Sequence, residues 1–425
     1  MLLHISDYFG AKVIQKSELF VIFASEMMNQ ATFDFIRQHA DADVRQLALQ
    51  GTRDPEVNLT FALEQIAGRQ KARTKLPSWA ANDDIIYPPH LSMEQCSSET
   101  TALYKARLAG RGETYVDLTG GFGVDFYFMS QGFSKRIYVE QNADLCTIVG
   151  HNMQALGLQS TVVCSQTAEY LSSMPHADVV YLDPARRNEH GGRTYGIEDC
   201  SPNVLELMPR LMEKAERVIL KLSPMLDWHQ AVEALKSVSE VHIVSVNNEC
   251  KELLLVLGRQ TSETLRLVCV NGESTFEIIP TVGTNSSQAG NKQFPRWELS
   301  SIRDQSLCLY EPNASIMKSG CFAALEERFP VRQIGPNSHL FISADEIHDF
   351  PGRSFEILAV SSMNKRELKE ALKGIDRANI AVRNFPLSVA ELRKRLKLKD
   401  GGEVYIFATT VGNDGHQLLV CRKKS

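Results

Sequence analysis

The most regular pattern in the chain is an alternation of short apolar runs with helical stretches, which begins near Glu113. These runs, rich in β-branched and aromatic residues, are Tyr115–Leu118, Arg136–Val139, Thr161–Cys164, Val179–Leu182, Val218–Lys221, Val241–Val246 and Glu252–Leu257. Strands that alternate with helices predict a parallel sheet with right-handed crossovers. Ligands of such sheets bind at the carboxyl ends of the strands. We therefore expect the chemistry of this chain directly after these runs.

The segments on either side of the predicted sheet have different patterns. From about Thr32 to Leu108 the apolar positions follow helical spacing, without a strand pattern. One helix is predicted to begin at Asp54 and Pro55, a capping carboxylate and a proline at the first helical position. After a polar linker at Gly283–Lys292, the pattern predicts a small α+β unit built from Glu356–Val360, Lys365–Leu372, Ile380–Arg383, Val389–Leu396, Glu403–Thr409 and Gln417–Cys421.

Composition and charge narrow the class of protein. The 425 residues are 43% hydrophobic and 23% charged, which is typical of folded globular proteins. A net charge of −5 gives the whole chain no electrostatic signature of a nucleic-acid partner, so any such signal must be local. The nine cysteines form no C-x-x-C pair, and no apolar run reaches the ~20 residues of a membrane span. We expect a cytoplasmic protein without a metal site or a membrane partner.

A glycine-rich turn follows the first predicted strand, in the sequence Asp117-Leu118-Thr119-Gly120-Gly121-Phe122-Gly123. Glycines allow the backbone to approach a ligand closely. A dinucleotide fingerprint would need a third glycine where Phe126 stands, which disfavours NAD. The turn instead resembles motif I, D-x-x-x-G-x-G, of class I S-adenosylmethionine-dependent methyltransferases. That resemblance implies a cofactor site at Asp117, Thr119, Gly120, Gly121 and Gly123.

Three further strand ends fit the same class of enzyme. Glu140 ends the second strand, 23 residues after Asp117, where an acidic side chain accepts hydrogen bonds from ribose hydroxyls. Gln166, just past the third strand, lies where these enzymes often hold the adenine. After the fourth strand comes Asp183-Pro184-Ala185-Arg186, which resembles motif IV of nucleic-acid methyltransferases. We expect Asp183, Pro184 and Arg186 to form the catalytic turn, with Asp183 also bordering the cofactor and accepting a hydrogen bond or a proton from an exocyclic amine.

The catalytic turn departs from a familiar pattern. Methyltransferases that act on base amines usually have Asp or Asn followed by Pro-Pro and an aromatic residue that stacks on the base, whereas this chain has Ala185 and Arg186. A guanidinium plane can also stack on bases and bind phosphate. The loop that follows should border the target base, which makes Arg187, Arg193 and Tyr195 candidate RNA contacts. No cysteine follows the turn, which disfavours covalent methylation of pyrimidine C5.

Two local clusters of basic residues could bind phosphate. Arg69, Lys71, Arg73 and Lys75 precede Trp79, and the alternative to a phosphate-binding edge with an aromatic platform is a solvated helix end. The second cluster lies on the predicted helix Val389–Leu396 and after it, where Arg393, Lys394 and Lys397 are candidate RNA contacts.

Further segments resemble those of one bacterial family of class I methyltransferases with a C-terminal THUMP-like domain. They are Phe35-Ile36-Arg37-Gln38, Lys75-Leu76-Pro77-Ser78-Trp79, Glu94-Gln95-Cys96-Ser97-Ser98-Glu99, Asp183-Pro184-Ala185-Arg186-Arg187, Tyr310-Glu311-Pro312-Asn313-Ala314 and 348–352. The resemblance implies an α/β fold with a Rossmann-like sheet, a helical N-terminal region and a small α+β THUMP-like domain. It divides the chain into 1–27 outside the family, 28–110 helical, 111–262 methyltransferase, 263–350 ferredoxin-like insert and linker, and 351–425 THUMP-like.

The resemblance also implies an activity, because THUMP domains of related enzymes bind RNA, commonly the acceptor region of transfer RNA. The expected function is S-adenosylmethionine-dependent methylation of a base in transfer RNA. One alternative is methylation of guanine N2 in ribosomal RNA, since Thr119–Asp125 looks like the glycine turn of such enzymes. The other is an RNA-binding protein that retains the fold without turnover, because the catalytic turn lacks its usual third and fourth residues.

Overall fold

The computed structural model describes residues 12–13, 29–186, 196–258, 264–279, 307–412 and 415–424. The chain divides into two compact units, of which the first comprises Met1–Val241 with Glu252–Glu263 and the second His242–Lys251 with Thr264–Ser425. The predicted linker at Gly283–Lys292 lies outside the described residues.

Residues 29–110 of the first unit are helical and contain no strand, as the sequence predicts. The helices are α1 (Gln30–Gln38), α2 (Val44–Gln50), α3 (Leu59–Lys75), α4 (Pro77–Ala80), α5 (His90–Gln95) and α6 (Glu99–Ala109). The predicted helix start at Asp54 and Pro55 is wrong. The helix begins at Leu59, because the Asn58 side chain caps it by accepting the N–H of Phe61, while Asp54 accepts the N–H of Glu56 within a separate turn.

A parallel sheet follows the helical region. Its strands and the flanking elements are β1 (Lys12–Val13), β2 (Gly112–Asp117), β3 (Phe133–Glu140), β4 (Thr161–Cys164), β5 (Ala177–Leu182), β6 (Ala185–Arg186), β7 (Cys200–Ser201), β8 (Ala215–Leu222), β9 (Val238–Val246) and β10 (Glu249–Gly258), with helices α7 (Val124–Ser130), α8 (Ala143–Ala155), α9 (Thr167–Ser173), α10 (Val204–Lys214) and α11 (Trp228–Leu235). The strand order is β1-β4-β3-β2-β5-β8-β10-β9, in which β1 runs antiparallel to β4 and β10 antiparallel to β8, while β6 and β7 form a separate two-stranded sheet. β9 and β10 have residues in both units.

The topology brings three strand ends to one edge of the sheet. β2 pairs in parallel with β3 on one side and β5 on the other, and Asp117 is in register with Tyr138 and Tyr181. β2 changes from exposed at its start to fully buried at its end, as expected for a strand covered by helices on both faces. The turns that follow β2, β3 and β5 therefore meet above the sheet.

The second unit contains a mixed sheet of its own. Its strands and helices in the C-terminal part of the chain are β11 (Arg266–Asn271), β12 (Ser274–Ile278), β13 (Cys308–Pro312), α12 (Ala314–Ser319), α13 (Ala323–Arg328), β14 (Arg332–Gln333), β15 (Phe341–Ser343), β16 (Gly352–Ser361), α14 (Lys365–Ala371), β17 (Asn379–Arg383), α15 (Val389–Leu396), β18 (Val404–Thr410) and β19 (His416–Lys423). The strand order is β14-β15-β13-β16-β19-β18-β17, with β17 parallel to β18, while β11 and β12 pair with each other outside this sheet. β13 pairs with β16, so the predicted ferredoxin-like and THUMP-like segments share one sheet.

No helix in the described part of the chain is long and apolar enough to cross a membrane. The same residues contain no group of three or more His, Cys, Asp or Glu side chains placed to hold a metal ion. All nine cysteines are described, and none forms a disulfide.

Candidate functional site

The glycine turn between β2 and α7 is fixed to the neighbouring strand. Gly121 and Gly123 have positive φ angles of +52° and +79°, and Gly123 caps α7 in the left-handed conformation. A Cβ atom on Gly120 would lie 2.0 Å from the ring of Tyr138, so only glycine fits there. The Tyr138 hydroxyl donates to the carbonyl of Gly121 at 2.5 Å, and the Gly120 N–H donates to the carbonyl of Val139. The turn is therefore held in one conformation beside the end of β3.

Asp117 lies beneath this turn with an unpaired oxygen. Its Oδ1 accepts the N–H of Thr119 at 2.9 Å, whereas its buried Oδ2 has no hydrogen-bond partner. Burial raises the pKa of Asp117 well above its usual range. A buried polar atom without a partner is a free position for a ligand hydrogen bond.

Glu140 closes the other side of the turn. Its two oxygens accept backbone N–H groups, Oε2 from Gly121 at 3.0 Å and Oε1 from Asn142 at 2.9 Å. A carboxylate has about four acceptor positions, so each oxygen can still accept a hydroxyl. Gln166 is the exposed N-cap residue of α9, directly after β4, and its side chain does not cap the helix. The cofactor-site residues predicted from the sequence thus surround the ends of β2, β3 and β4.

Asp183 is joined to the glycine turn through Thr119. Its backbone N–H donates to the Thr119 hydroxyl at 2.6 Å, and its carboxylate Oδ2 lies 2.6 Å from the ammonium of Lys221 at the end of β8. The Asp183 side chain is 37% exposed, whereas Lys221 is 12% exposed. Desolvation by the surrounding protein raises the pKa of Asp183, and the Lys221 ammonium limits that rise. Asp183 therefore presents an ion-paired carboxylate beside the glycine turn.

The other members of the predicted catalytic turn are placed differently. Pro184 is buried, and the backbone of Arg186 pairs with Cys200 in the short β6–β7 hairpin. The three predicted RNA contacts in the following loop, Arg187, Arg193 and Tyr195, lie outside the described residues.

The structure adds ionic residues beside Asp183 that were not among the predicted site residues, although Lys221 ends a predicted strand at the same edge of the sheet. Lys221 contacts Ser97 and Asp183, and a second lysine, Lys105, lies fully buried against Asp125 and Glu252. Burial alone would lower the pKa of Lys221, but the surrounding carboxylates raise it above its usual value. Lys105 lies on the buried side of α6, where the helical pattern would place an apolar residue. A lysine at such a position indicates a buried charge that needs a partner, and this could have been predicted from the sequence.

The charged groups of the N-terminal basic cluster (Arg69, Lys71, Arg73 and Lys75) already have partners within the protein. Arg69 pairs with Asp83, Lys71 with Glu94 and Arg73 with Asp41, while the Lys75 ammonium donates to the carbonyls of Met93 and Glu94. Trp79 is fully buried against Phe122 and Tyr127, so it cannot act as an aromatic platform. The solvated-helix alternative fits these contacts better than a phosphate-binding edge.

The three predicted RNA contacts on α15 and after it have different environments. The Arg393 guanidinium binds the Asp400 carboxylate at 2.6 Å and the carbonyl of Ala378 at 3.0 Å. Lys394 and Lys397 are exposed, and Lys397 ends the helix with a positive φ of 58°. The free positive charge of this helix therefore comes from the lysines more than from Arg393.

The chain is similar to two family models and to a solved structure. A family model described as a ferredoxin-like domain matches residues 309–351, and one described as THUMP domain-like matches 352–423. The crystal structure of a candidate methyltransferase from Porphyromonas gingivalis W83 is 31% identical, with 93% of this chain and 98% of that chain covered and a TM-score of 0.81. A comparison with curated proteins found no match.

More distant structures cover only part of the chain. TrmK of M. capricolum, solved with S-adenosylhomocysteine, is 12% identical over 38% of this chain and 68% of that chain, with a TM-score of 0.30. The 16S rRNA N2 G1207 methyltransferase RsmC of T. thermophilus is 13% identical over 41% and 46%, with a TM-score of 0.32. Their similarity is too low to carry an argument. The Porphyromonas likeness extends over nearly the full length of both proteins, and with the C-terminal domain match it shows that the chain belongs to the class I S-adenosylmethionine-dependent methyltransferase family with a C-terminal THUMP-like domain.

Proposed function

We propose that this protein transfers a methyl group from S-adenosylmethionine to a base of RNA, with transfer RNA as the favoured substrate. The observation that carries the proposal is the hydrogen bond from the Asp183 N–H to the Thr119 hydroxyl. It joins the glycine turn, which would hold the cofactor, to the carboxylate that would face the target base. Methyl transfer depends mainly on the alignment of a nucleophile with the methyl carbon. The hydrogen bond would keep the cofactor and the target base in a constant position relative to each other.

The residues at the strand ends fit the cofactor. A Cβ atom on Gly121 would lie 3.9 Å from its nearest described neighbour, the Thr119 carbonyl oxygen, so a ligand can approach the Gly121 backbone. The unpaired Oδ2 of Asp117 and the backbone of the turn suit the amino-acid part of the cofactor, the free acceptor positions of Glu140 suit its ribose hydroxyls, and Gln166 suits its adenine. When bound, S-adenosylmethionine supplies a methyl group on a positively charged sulfur.

Asp183 orients the nucleophile and can receive its proton. An exocyclic amine that gains a methyl group must lose one proton, and the exposed carboxylate of Asp183 is placed to accept a hydrogen bond from that amine. The Lys221 ammonium favours the ionised form of this carboxylate, against the desolvation that raises its pKa, and contacts Oδ2, which leaves Oδ1 for the substrate. Buried Pro184 restricts the backbone of the turn.

The RNA partner is proposed from the C-terminal domain and its charge. Lys394 and Lys397 give a local positive surface on a chain of net charge −5, and phosphate contacts are the main source of affinity for nucleic acids. Arg186, Arg187, Arg193 and Tyr195 remain predicted contacts near the target base. Arg393 supports the helix through Asp400, and its own contact with RNA remains a prediction.

Nucleoside mass spectrometry tests the proposal. Transfer RNA and ribosomal RNA are purified separately from a strain that lacks the gene, and their nucleosides are compared with those of the parent strain. One methylated nucleoside should disappear from transfer RNA and return with the wild-type gene. Its loss from ribosomal RNA instead would favour the ribosomal alternative. Identical nucleosides in both strains, together with retained cofactor binding, would favour the non-catalytic RNA-binding alternative.

A further inference from the structure

A cluster of buried charged and hydroxyl groups extends from the N-terminal helical region to Asp183, and the proposed reaction leaves most of it unexplained. The charge cluster consists of Ser97, Lys105, Asp125, Lys221 and Glu252. Ser97 precedes α6 and Lys105 lies on it, whereas the other three residues belong to the sheet domain. Groups from distant parts of the sequence therefore meet in one buried place.

Lys105 is held in place by two hydrogen bonds and an ion pair. Its ammonium lies 2.7 Å from Oε1 of Glu252, 2.8 Å from the Ser97 hydroxyl and 3.0 Å from Oδ1 of Asp125, and its side chain has no exposed surface. The contacts to Glu252 and Ser97 are hydrogen bonds, which use two of the three donors of the ammonium, and the contact to Asp125 is an ion pair. Lys105 in turn holds the hydroxyl and the two carboxylates in place.

Lys221 shares two of these partners. Its ammonium lies 3.1 Å from the Ser97 hydroxyl and 3.7 Å from Oδ2 of Asp125, and its shortest contact is to Oδ2 of Asp183. The Ser97 hydroxyl and the Tyr181 hydroxyl both donate to Oδ2 of Asp125, at 2.8 Å and 2.7 Å. The groups that Lys105 immobilises therefore determine where Lys221 can lie.

Asp183 is the point at which this arrangement reaches the surface. The charged members of the cluster are at most 12% exposed, compared with 37% for Asp183. A buried charge that loses its partner is left without compensation, which is costly. An arrangement of the cluster that separates its ion pairs is therefore unfavourable. Within the part of the chain that the structure describes, the well-exposed charged contact of the cluster is the carboxylate beside the glycine turn.

We propose that Ser97 and Lys105 are positioning residues for methyl transfer, because they hold Lys221 and through it the carboxylate of Asp183. The helical N-terminal region is then part of the catalytic apparatus of the sheet domain. This proposal rests on the proposed function for the role of Asp183, while the contacts that hold Asp183 can be tested without the reaction.

The experiment compares Ser97→Ala with Ser98→Ala in the full-length protein. Ser98 is adjacent and caps α6 by accepting the N–H of Thr101, and its side-chain hydrogen bonds within the described residues go to Thr101 rather than to the charge cluster. The first readout is the rate at which a water-soluble carbodiimide labels Asp183, measured on peptides by mass spectrometry. The second is kcat and KM for methyl transfer to total RNA from the strain that lacks the gene.

Ser97→Ala should speed the labelling of Asp183, because a loosened Lys221 protects the carboxylate less. It should also lower kcat by about 10- to 100-fold, the loss expected from a small misalignment, without changing KM. Ser97→Thr, which restores the hydroxyl, should recover most of kcat. Ser98→Ala should change neither readout, although it removes a helix cap.

The double variant Lys105→Met/Glu252→Met removes one charge of each sign and keeps the net charge of the cluster, so it tests the same point if loss of Ser97 alone is tolerated. It should also speed labelling and lower kcat. Wild-type labelling and wild-type kcat in both Ser97→Ala and the double variant would overturn the proposal. If the wild-type protein transfers no methyl group to this RNA, the proposed function fails, and the labelling rates alone then decide whether Ser97 and Lys105 position Asp183.

Discussion

Replacing Glu140 with glutamine should weaken the binding of S-adenosylmethionine while the fold persists. The Glu140 carboxylate accepts the N–H of Gly121 on one oxygen and that of Asn142 on the other. Glutamine has a single acceptor oxygen, so its NH₂ group must face one of these two N–H donors. The substitution therefore disturbs the glycine turn and also removes acceptor positions for the ribose.

The expected magnitude follows from the charge of the acceptor. Hydrogen bonds to a charged group contribute about 1.5–3 kcal/mol, which corresponds to roughly a 10- to 150-fold increase in Kd when one of them is lost. Isothermal titration calorimetry with S-adenosylmethionine measures this change directly. A melting curve of the same sample shows whether the variant is folded.

Glu113→Gln is the matched control. Glu113 lies at the start of β2, at the opposite edge of the sheet, where it forms an exposed ion pair with Lys135. Exposed pairs of this kind contribute little, so the control should bind the cofactor like the wild type. An unchanged Kd in a folded Glu140→Gln variant would refute the assignment of the ribose to Glu140.

Three further predictions concern other residues. Because burial raises the pKa of Asp117, the wild type should be more stable than Asp117→Asn below about pH 4, and this difference should be lost as the pH rises through the pKa of Asp117 in the folded protein. Urea unfolding over a pH series measures the difference, and parallel stability curves for the two proteins would contradict the prediction. Gly120→Ala should destabilise the fold by about 1–3 kcal/mol through the clash with Tyr138, and an unchanged urea midpoint would contradict it. Lys394→Ala/Lys397→Ala should flatten the log–log salt dependence of RNA affinity by about 1.4–1.8, and a slope equal to that of the wild type would show a solvated surface.

The sequence predicts the elements best where the signal is local. Thr161–Cys164 and Val389–Leu396 have the bounds that the pattern predicts, since a short β-branched strand and a capped amphipathic helix are each defined within a few residues. The helix start at Asp54 was wrong for a related reason. Both Asp54 and Asn58 are residue types that cap helices, but Asp54 accepts the N–H of Glu56 in a turn, and Asn58 caps the helix.

Contacts between distant segments account for what the sequence could not predict. Ser97 and Glu252 are 155 residues apart, and nothing in either segment alone indicates that Lys105 joins them. The sequence likewise placed Asp183 at a strand end but gave no sign that Thr119 accepts its N–H. The ion pair of Arg393 with Asp400 joins the helix to a residue beyond its end, and the RNA contact predicted for Arg393 stays a prediction.

The most direct test of the account is the transfer of a tritiated methyl group from S-adenosylmethionine to total RNA of the gene-deletion strain, with Asp183→Ala compared with the wild type. Asp376→Ala, which alters an exposed residue of the second unit, is the control. The account predicts that Asp183→Ala binds the cofactor normally but transfers about 10²- to 10³-fold more slowly, the loss typical of one missing transition-state hydrogen bond, while Asp376→Ala matches the wild type. Equal rates for Asp183→Ala and the wild type would contradict it.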